Sequence, residues 1–307
     1  MRRTLASFSL AALLTSAACV QMLRLPTSLP GSDHQVPRGG ASLPDFDHVF
    51  VVIVLENKEY GQIIGSPEAP YINRLAKQQG LATRFYGIRH PSLPDYLALL
   101  GGSTFGIDTD CTDCHVHARN LVDQLELADT TWKECMGGMP HGWCAGPDTG
   151  LYAKRHNPLA YFTDVAGNDQ RCCHIQPLDH LPADIRKDDL PRFAFISPDL
   201  CMDMHDCSIS TGDHYLSHLI PKILPTLGAD GVLFLTFDEG TSDAGCCRHA
   251  QGGHIATVVA GPALAKPGPR SVPYDLYSVL RTIEEAWGLL VLRKAGCPCT
   301  EPMTAFF

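Results

Sequence analysis

The sequence predicts an α/β fold built on a mainly parallel β-sheet. Residues 48–55 (HVFVVIVL) and 231–237 (GVLFLTF) are continuous apolar runs with many β-branched side chains. Such runs are typical of strands that are buried on both faces of a parallel sheet. Helix-like segments alternate with the predicted strands, which is the order that gives an α/β architecture.

The first half of the predicted domain contains two strands and two helices in alternation. The strand at 48–55 is followed by a helix at 69–79, for which Gly80 is a candidate C-cap. A second strand is predicted at 81–88. A short helix at 92–100 follows, with Pro94 in its first turn.

The second half of the predicted domain begins with a segment of different composition and then returns to strands and helices. Residues 105–190 are rich in Cys, Gly and His with weak periodicity, and contain one predicted helix at 120–128. We expect this segment to be a loop-rich insertion, stapled by disulfides over one end of the sheet. The remaining predicted elements are strands at 193–196, 231–237 and 255–260 and helices at 213–224 and 274–287.

The N-terminus has the sequence features of an export signal. Arg2 and Arg3 precede a short apolar stretch, and small residues precede Cys19. We therefore expect residues 1–19 to be a signal peptide and Cys19 to be a candidate lipid anchor of a lipoprotein. Residues 20–45 are a Pro/Gly-rich linker, residues 46–307 form the folded domain, and no transmembrane helix is expected.

The cysteine content agrees with a secreted, periplasmic or cell-surface location. The chain has 13 cysteines, and 12 remain once Cys19 is set aside. This number in an exported chain predicts a disulfide framework. A bridge between Cys201 and Cys207 would stiffen the segment between them, whereas the adjacent cysteines at 172–173 and 246–247 are each expected to bond elsewhere. The CxxCH pattern at 111–115 also fits haem or zinc binding, but disulfides explain it more simply.

The charge balance excludes a typical nucleic-acid partner. Lys plus Arg is 24 and Asp plus Glu is 33, so the formal net charge is −9. Such a chain lacks the basic surface that binds nucleic acid. A phosphorylated substrate would need a local source of positive potential, and a bound metal is the obvious candidate.

Polar side chains follow several of the predicted strands. Because ligand sites in open α/β sheets lie at the carboxyl ends of strands, these side chains are expected to converge. Oxygen ligands with a few imidazoles suit a divalent cation beside a phosphate ester. The residues in these positions are Glu56 and Asn57, Asp199, Asp203, His205 and Asp206, Asp238 and Glu239, and, just before a strand, His254.

A nucleophile is available at the start of a predicted helix. Ser92 lies in the stretch His90-Pro91-Ser92-Leu93-Pro94-Asp95-Tyr96. The partial positive charge at a helix N-terminus favours an anion or a serine alkoxide there. The alternative is that Ser92 is simply the N-cap of the helix.

The ordered combination of these motifs resembles the bacterial phosphoesterase family of acid phosphatases and phospholipases C, within the alkaline phosphatase superfamily. The resemblance implies a three-layer αβα sandwich and hydrolysis of phosphate monoesters through a phosphoserine at a divalent-metal site. It leaves open a phospholipase C-like phosphodiesterase, and also an inactive surface lipoprotein that binds phosphorylated ligands. The substrate would be a phosphorylated small molecule or a lipid head group.

The resemblance also implies a role for each motif residue. Ser92 would be the nucleophile, and His205 and His254 would contact the phosphoryl group or protonate the leaving group. The metal ligands would be Glu56, Asn57, Asp238 and Glu239. The residues that bind or orient the substrate would be Asp95, His156, Asp203, Asp206 and Asp213. Asp95 departs from the family, which usually has Asn there, and an ionised carboxylate would repel phosphate.

Overall fold

A computed structural model describes Leu43 and residues 50–307 of the chain. The predicted signal peptide and, apart from Leu43, the predicted linker lie outside the described residues. None of the described helices has the length and apolar character needed to cross a membrane.

A nine-stranded sheet forms the centre of the domain. Along the sheet the strands run in the order β4-β3-β5-β1-β6-β7-β2-β8, and β9 also pairs with β2. The strands are β1 (Phe50–Leu55), β2 (Gly80–Tyr86), β3 (Trp132–Met136), β4 (Ile175–Pro177), β5 (Phe193–Ser197), β6 (Val232–Phe237), β7 (His254–Ala260), β8 (Gly268–Arg270) and β9 (Tyr274–Asp275).

The parallel strands carry the apolar core. β1 lies between β5 and β6, with Phe50 opposite Phe193 on one side and Val232 on the other. Every residue of these three strands is buried, which explains why their sequences are continuous apolar runs rather than alternating ones. β7 is antiparallel to both of its neighbours. The predicted α/β fold with a mainly parallel sheet is therefore confirmed.

The helices pack against one another in pairs beside the sheet. α2 packs on α8, and α3 packs on α9. The helices are α1 (Tyr60–Ile63), α2 (Pro70–Gln78), α3 (Leu93–Gly101), α4 (Leu121–Leu127), α5 (Thr163–Ala166), α6 (Asp169–Cys172), α7 (Leu181–Lys187), α8 (Ile209–Ile223) and α9 (Leu276–Ala286).

The middle segment is more regular than the sequence predicts. Residues 105–190 contain two strands of the central sheet, β3 and β4, together with four helices. β3 pairs in parallel with β5, and β4 pairs in parallel with β3. The segment therefore extends the sheet rather than only covering its end. β3 escapes prediction because Lys133 and Glu134 interrupt its apolar pattern.

Helix α8 also differs from its predicted bounds. It begins at Ile209, four residues before the predicted start, because the Ser208 side chain caps it by accepting from the amide of Thr211. Pro221 lies in its last turn, and the helix continues to Ile223.

Five pairs of cysteines lie at disulfide distance among the described residues. The pairs are Cys111–Cys114, Cys144–Cys172, Cys201–Cys207, Cys246–Cys247 and Cys297–Cys299. The expected bridge around residues 202–206 is therefore present. The prediction that Cys246 and Cys247 bond elsewhere is wrong, because they pair with each other. Cys135 is a buried free thiol.

Candidate active site

Two neighbouring parallel strands place the central acidic residues side by side. Glu56 and Asn57 directly follow β1, and Asp238 directly follows β6. The amide of Asp238 donates to the Leu55 carbonyl at 2.9 Å, and the amide of Asn57 donates to Asp238 Oδ1 at 3.0 Å. Asn57 has a φ of 49°, a left-handed conformation that asparagine tolerates well. The strand register therefore brings two separate motifs to one point.

Ser92 faces these acids. It occupies the N-cap position of α3, yet its side chain makes no capping hydrogen bond. Its Oγ instead lies 3.1 Å from Glu56 Oε2 and 3.4 Å from Glu239 Oε1. The Leu93 amide at the start of α3 donates to Asp110 Oδ1 at 2.9 Å. The alternative that Ser92 is only a helix cap is therefore wrong.

These side chains form what we call the oxygen cluster: Glu56, Asn57, Ser92, Asp238 and Glu239. The Asn57 amide oxygen lies 3.1 Å from Glu239 Oε1 and 3.2 Å from each Asp238 oxygen, so it faces only other acceptors. With the amide turned, the Asn57 nitrogen donates to all three of these oxygens. With the amide oxygen inward, a cation between the oxygens would offset their repulsion. Carboxylate and amide oxygens are the ligands that hard divalent cations prefer. The donor set therefore fits a divalent metal.

Burial makes the oxygen cluster electrostatically unfavourable without a cation. Burial, with the charges of Glu56 and Glu239, raises the pKa of Asp238 well above its ordinary value. Burial also raises the pKa of Glu239 to about 7, although His90 opposes that shift. A divalent cation would supply the charge that protons otherwise supply here.

A second group of buried side chains adjoins the oxygen cluster through Glu56. His156 Nε2 lies 3.3 Å from Glu56 Oε2, and His156 Nδ1 lies 3.4 Å from Asp203 Oδ2. Tyr96 stacks on the His156 ring with centroids 5.1 Å apart, and its hydroxyl donates to Glu56 Oε1. His156 is only 2% exposed. It is therefore placed to hold Glu56 and Asp203 rather than to meet a substrate directly.

The opposite charges in this second group stabilise one another. Burial alone would lower the pKa of His156, but the carboxylates of Glu56 and Asp203 raise it to about 9. Burial would raise the pKa of Glu56, but His156 and the Tyr96 hydroxyl lower it overall. A protonated His156 between two carboxylates satisfies the rule that buried charges are paired.

His205, which is exposed, and Arg155, which is half-buried, form the rim of this region. His205 lies 6.3 Å from His156 between ring centroids. Its Nδ1 is 2.7 Å from Asp206 Oδ1, and its Nε2 is 3.3 Å from Arg155 Nη2. Since guanidinium can only donate, this pairing places the His205 proton on Nδ1. Arg155 also lies 3.6 Å from Asp110 Oδ2.

Two predicted site residues have structural partners away from the oxygen cluster. The ring of His254 stacks between Tyr60 and Tyr86, and its Nε2 lies 3.0 Å from the Thr83 carbonyl oxygen. Asp213 accepts from two amides in the first turn of α2, at 3.0 and 2.8 Å. The sequence places His254 at the correct sheet edge, but tertiary contacts turn its ring aside. Asp213 caps a neighbouring helix.

Asp95 is fully buried and turned toward the loop before Ser92. Its Oδ1 accepts from the amides of Ile88 and Arg89 at 2.5 and 3.3 Å. Its Oδ2 is buried without a hydrogen-bond partner. Burial raises its pKa well above the ordinary value, and the charges of Glu239 and Glu56 add to the rise. These two amide contacts tie Asp95 to the loop before Ser92, and burial favours the protonated form of its carboxyl group.

Several functional neighbours were not identified from the sequence. His90 forms an ion pair with Glu239, and Tyr96 contacts Glu56. Their positions, two residues before and four residues after Ser92, are the available signal, because residues four apart share a helix face. Glu59 accepts from the Thr241 amide at 2.8 Å and the His254 amide at 3.0 Å, and so ties the loops after β1 and β6 together.

The chain is similar to known proteins in sequence and in fold. A sequence profile of the Phosphoesterase family matches residues 66–290. The chain is 33% identical over 267 residues to a phosphatidylinositol-3-phosphatase of Mycobacterium tuberculosis, covering 86% of this chain and 85% of that protein. It is 28% identical over 284 residues to the phosphate-repressible acid phosphatase of Penicillium chrysogenum, covering 88% of this chain but 65% of the fungal protein.

A solved structure shares the fold at low sequence identity. An alkaline phosphatase superfamily protein from Vibrio parahaemolyticus aligns with a TM-score of 0.56 and 13% identity, over 84% of this chain and 72% of that chain. This likeness concerns the fold alone. The family match and the relatives above establish that the chain belongs to the Phosphoesterase family and is a phosphate-ester hydrolase.

Proposed function

We propose that this protein is an acid phosphatase that hydrolyses phosphate monoesters, with Ser92 as its nucleophile. The observation that carries the proposal is that the buried Ser92 side chain makes no capping hydrogen bond and instead contacts Glu56 and Glu239 at the sheet edge. Glu56, Asn57, Asp238 and Glu239 would hold a divalent cation. When bound, this cation would lower the pKa of the serine hydroxyl and offset the charge of the phosphoryl group.

The chain's own residues account for the bond changes. Ser92 Oγ attacks phosphorus as the ester P–O bond breaks, and the serine proton passes to a carboxylate in contact with Oγ. The leaving alkoxide takes up a proton from water. Water then attacks the phosphoserine, releasing inorganic phosphate and restoring the hydroxyl. Because a phosphoryl transition state spreads negative charge over three oxygens, placement of these groups supplies most of the catalysis.

The rim is the part of the site that meets the substrate. Arg155 is held between Asp110 and His205, and its planar guanidinium is suited to bidentate binding of phosphoryl oxygens. Asp206 orients His205 by accepting from its Nδ1. We assign Arg155 and His205 to phosphoryl or leaving-group contacts. Asp203 and His156, which are buried, would support Arg155 and His205 from the interior side of the site.

The test is hydrolysis of p-nitrophenyl phosphate and bis-p-nitrophenyl phosphate by the oxidised protein, across pH and with different divalent metals. We expect the monoester to be preferred and chelation of the metal to abolish turnover. Ser92→Ala should lower kcat by at least ~10³-fold, as loss of other nucleophiles does. Ser210→Ala, an exposed serine on α8, is the matched control. A preference for the diester would favour the phosphodiesterase alternative, and near-normal turnover by Ser92→Ala would refute the nucleophile.

The mycobacterial relative suggests a narrower substrate class. That protein is named as a phosphatidylinositol-3-phosphatase, and the alignment covers 85% of its length. A phosphoinositide monoester should therefore be assayed beside a soluble sugar phosphate. A higher kcat/KM for the phosphoinositide would support a lipid head group as the substrate.

Export to an oxidising compartment is part of the same proposal. Five cysteine pairs at disulfide distance and the N-terminal sequence pattern support it. Fractionation of cells producing the full chain, with a Cys19→Ser variant as control, would test both export and lipid attachment. Retention in the cytoplasm would contradict the proposal.

A further inference from the structure

A second group of metal-ligating side chains lies outside the oxygen cluster. His141, Asp179 and His180 each offer one ligand atom, and these atoms all lie within 4.8 Å of one another. His180 Nε2 is 3.2 Å from His141 Nδ1 and 3.9 Å from Asp179 Oδ1. The other ring nitrogen of His141, Nε2, is 3.1 Å from Asp179 Oδ2. The phosphatase chemistry proposed above makes no use of these three residues.

We propose that His141, Asp179 and His180 form a second metal site, specific for zinc or a similar transition-metal ion. The nitrogens of a tetrahedral zinc ion lie about 2.0–2.1 Å from the metal and so about 3.3 Å from each other. The 3.2 Å between His141 Nδ1 and His180 Nε2 matches this spacing. Two imidazoles and one carboxylate leave a fourth position for water or a ligand, and they disfavour Mg²⁺ and Ca²⁺.

The other ring nitrogen of His180 has the partner expected of a metal ligand. His180 Nδ1 lies 3.4 Å from Gln176 Oε1. A histidine that binds metal through one nitrogen commonly donates the other N–H to an oxygen, which fixes the tautomer and the ring orientation. This hydrogen bond leaves the lone pair of His180 Nε2 directed toward His141.

The protein backbone holds the two halves of the site together before any metal binds. His141 lies in the loop that follows β3, and Asp179 and His180 follow β4, the strand paired with β3. The Cys144–Cys172 pair also links the loop after β3 to helix α6, which precedes β4. Because strand pairing and this disulfide already limit the relative motion of the two segments, binding a metal ion would cost little additional ordering entropy.

The proposed zinc site shares a sheet edge with the oxygen cluster. β4, β3, β5 and β1 are consecutive parallel strands, so their carboxyl ends lie along one edge. Three strand spacings of ~4.8 Å place β4 about 14 Å from β1. A zinc ion there would lie along the same sheet edge as the oxygen cluster while remaining separate from the reacting atoms.

Metal stoichiometry tests the proposal independently of activity. Oxidised full-length protein is loaded with Zn²⁺, desalted and analysed by elemental mass spectrometry, beside the H141Q/H180Q double variant. We expect the variant to hold about one zinc fewer per chain. It should also lose part of the zinc-dependent rise in Tm, because a ligand stabilises only the state that binds it. Its hydrolysis of p-nitrophenyl phosphate in excess metal should be unchanged.

The matched control is the H214Q/H218Q double variant. These helix α8 histidines have ring centroids 4.5 Å apart but belong to no cluster of three ligands among the described residues. The control should keep the zinc content of the unmodified protein. Asp179→Asn should weaken zinc binding, and Co²⁺ should show tetrahedral d–d absorption that H141Q/H180Q loses. Equal zinc content and equal Co²⁺ spectra in H141Q/H180Q and the unmodified protein would overturn the proposal.

Discussion

Ser92 Oγ lies 3.1 Å from Glu56 Oε2, although 36 residues separate the two in the chain. Glu56 stands at the end of β1, and Ser92 precedes α3, so this contact joins the central strand to the helix that presents the proposed nucleophile. Glu56 is also the residue that links the oxygen cluster to His156. The activity of the site is therefore expected to depend on how Glu56 is held and on where Ser92 is positioned.

Removing the Tyr96 hydroxyl should weaken the support of Glu56. The Tyr96 side chain is fully buried and donates to Glu56 Oε1. Tyr96→Phe should reduce the free energy of unfolding by about 1.5–3 kcal/mol, since hydrogen bonds to charged groups are worth that much. It should also weaken metal affinity. Tyr161→Phe is the control, because the Tyr161 hydroxyl is buried without a hydrogen-bond partner. Equal losses of stability in denaturant titrations of the two variants would contradict this role.

Asp95→Asn should leave both fold and activity close to normal. Burial raises the pKa of Asp95 well above its ordinary value and so favours the neutral form, and an amide oxygen can accept from Ile88 and Arg89 in its place. Asp95→Ala should instead cost about 1–3 kcal/mol, because it leaves buried amides unpaired. Thermal unfolding and p-nitrophenyl phosphate turnover check both variants. A large loss of kcat in Asp95→Asn would show that its negative charge is required.

Opening the Cys201–Cys207 bridge should loosen the segment that carries Asp203, His205 and Asp206. Closing so short a loop restricts the unfolded chain by about 2 kcal/mol in the chain-entropy account. The C201S/C207S double variant should lose about that stability and should raise KM more than it lowers kcat, because the rim is displaced while Ser92 stays in place. C297S/C299S, which opens another short loop, is the control. An unchanged KM would show that the rim does not bind the substrate.

Glu134 should make the fold less stable as pH rises. It is fully buried in β3, and burial raises its pKa well above the ordinary value of 4.5, which the Leu159 backbone only partly offsets. Below pH 4.5 Glu134 is protonated in both the folded and the unfolded protein, so its titration costs no stability there. Above it, the unfolded chain ionises first and stability falls by about 1.4 kcal/mol per pH unit until the folded-state pKa is reached.

Glu134→Gln removes this titration and is therefore expected to flatten the stability curve above pH 4.5 and to raise the Tm at neutral pH. Glu68→Gln, at an exposed position, serves as the comparison. Parallel Tm curves for Glu134→Gln and the unmodified protein would show that Glu134 is ionised or solvated in the folded state.

The central site was predictable because its residues directly follow apolar strands. Glu56, Asn57, Asp238 and Glu239 each occupy such a position, and parallel pairing of β1 and β6 brings them together. β3 was not predictable, since Glu134 is buried against the usual preference of charged residues. The roles of His254 and Asp213 were not predictable, because tertiary packing decides where their side chains point. The His254 side chain contacts Thr83, and the Asp213 side chain contacts amides of α2.

The most direct test of the account is a search for the covalent intermediate. The enzyme is mixed with p-nitrophenyl phosphate, quenched in acid during turnover, digested and analysed by mass spectrometry. The account predicts one phosphoryl group on the peptide that contains Ser92, present in His205→Gln and absent in Ser92→Ala. A phosphoryl group on another residue, or turnover by Ser92→Ala equal to that of the unmodified enzyme, would contradict it.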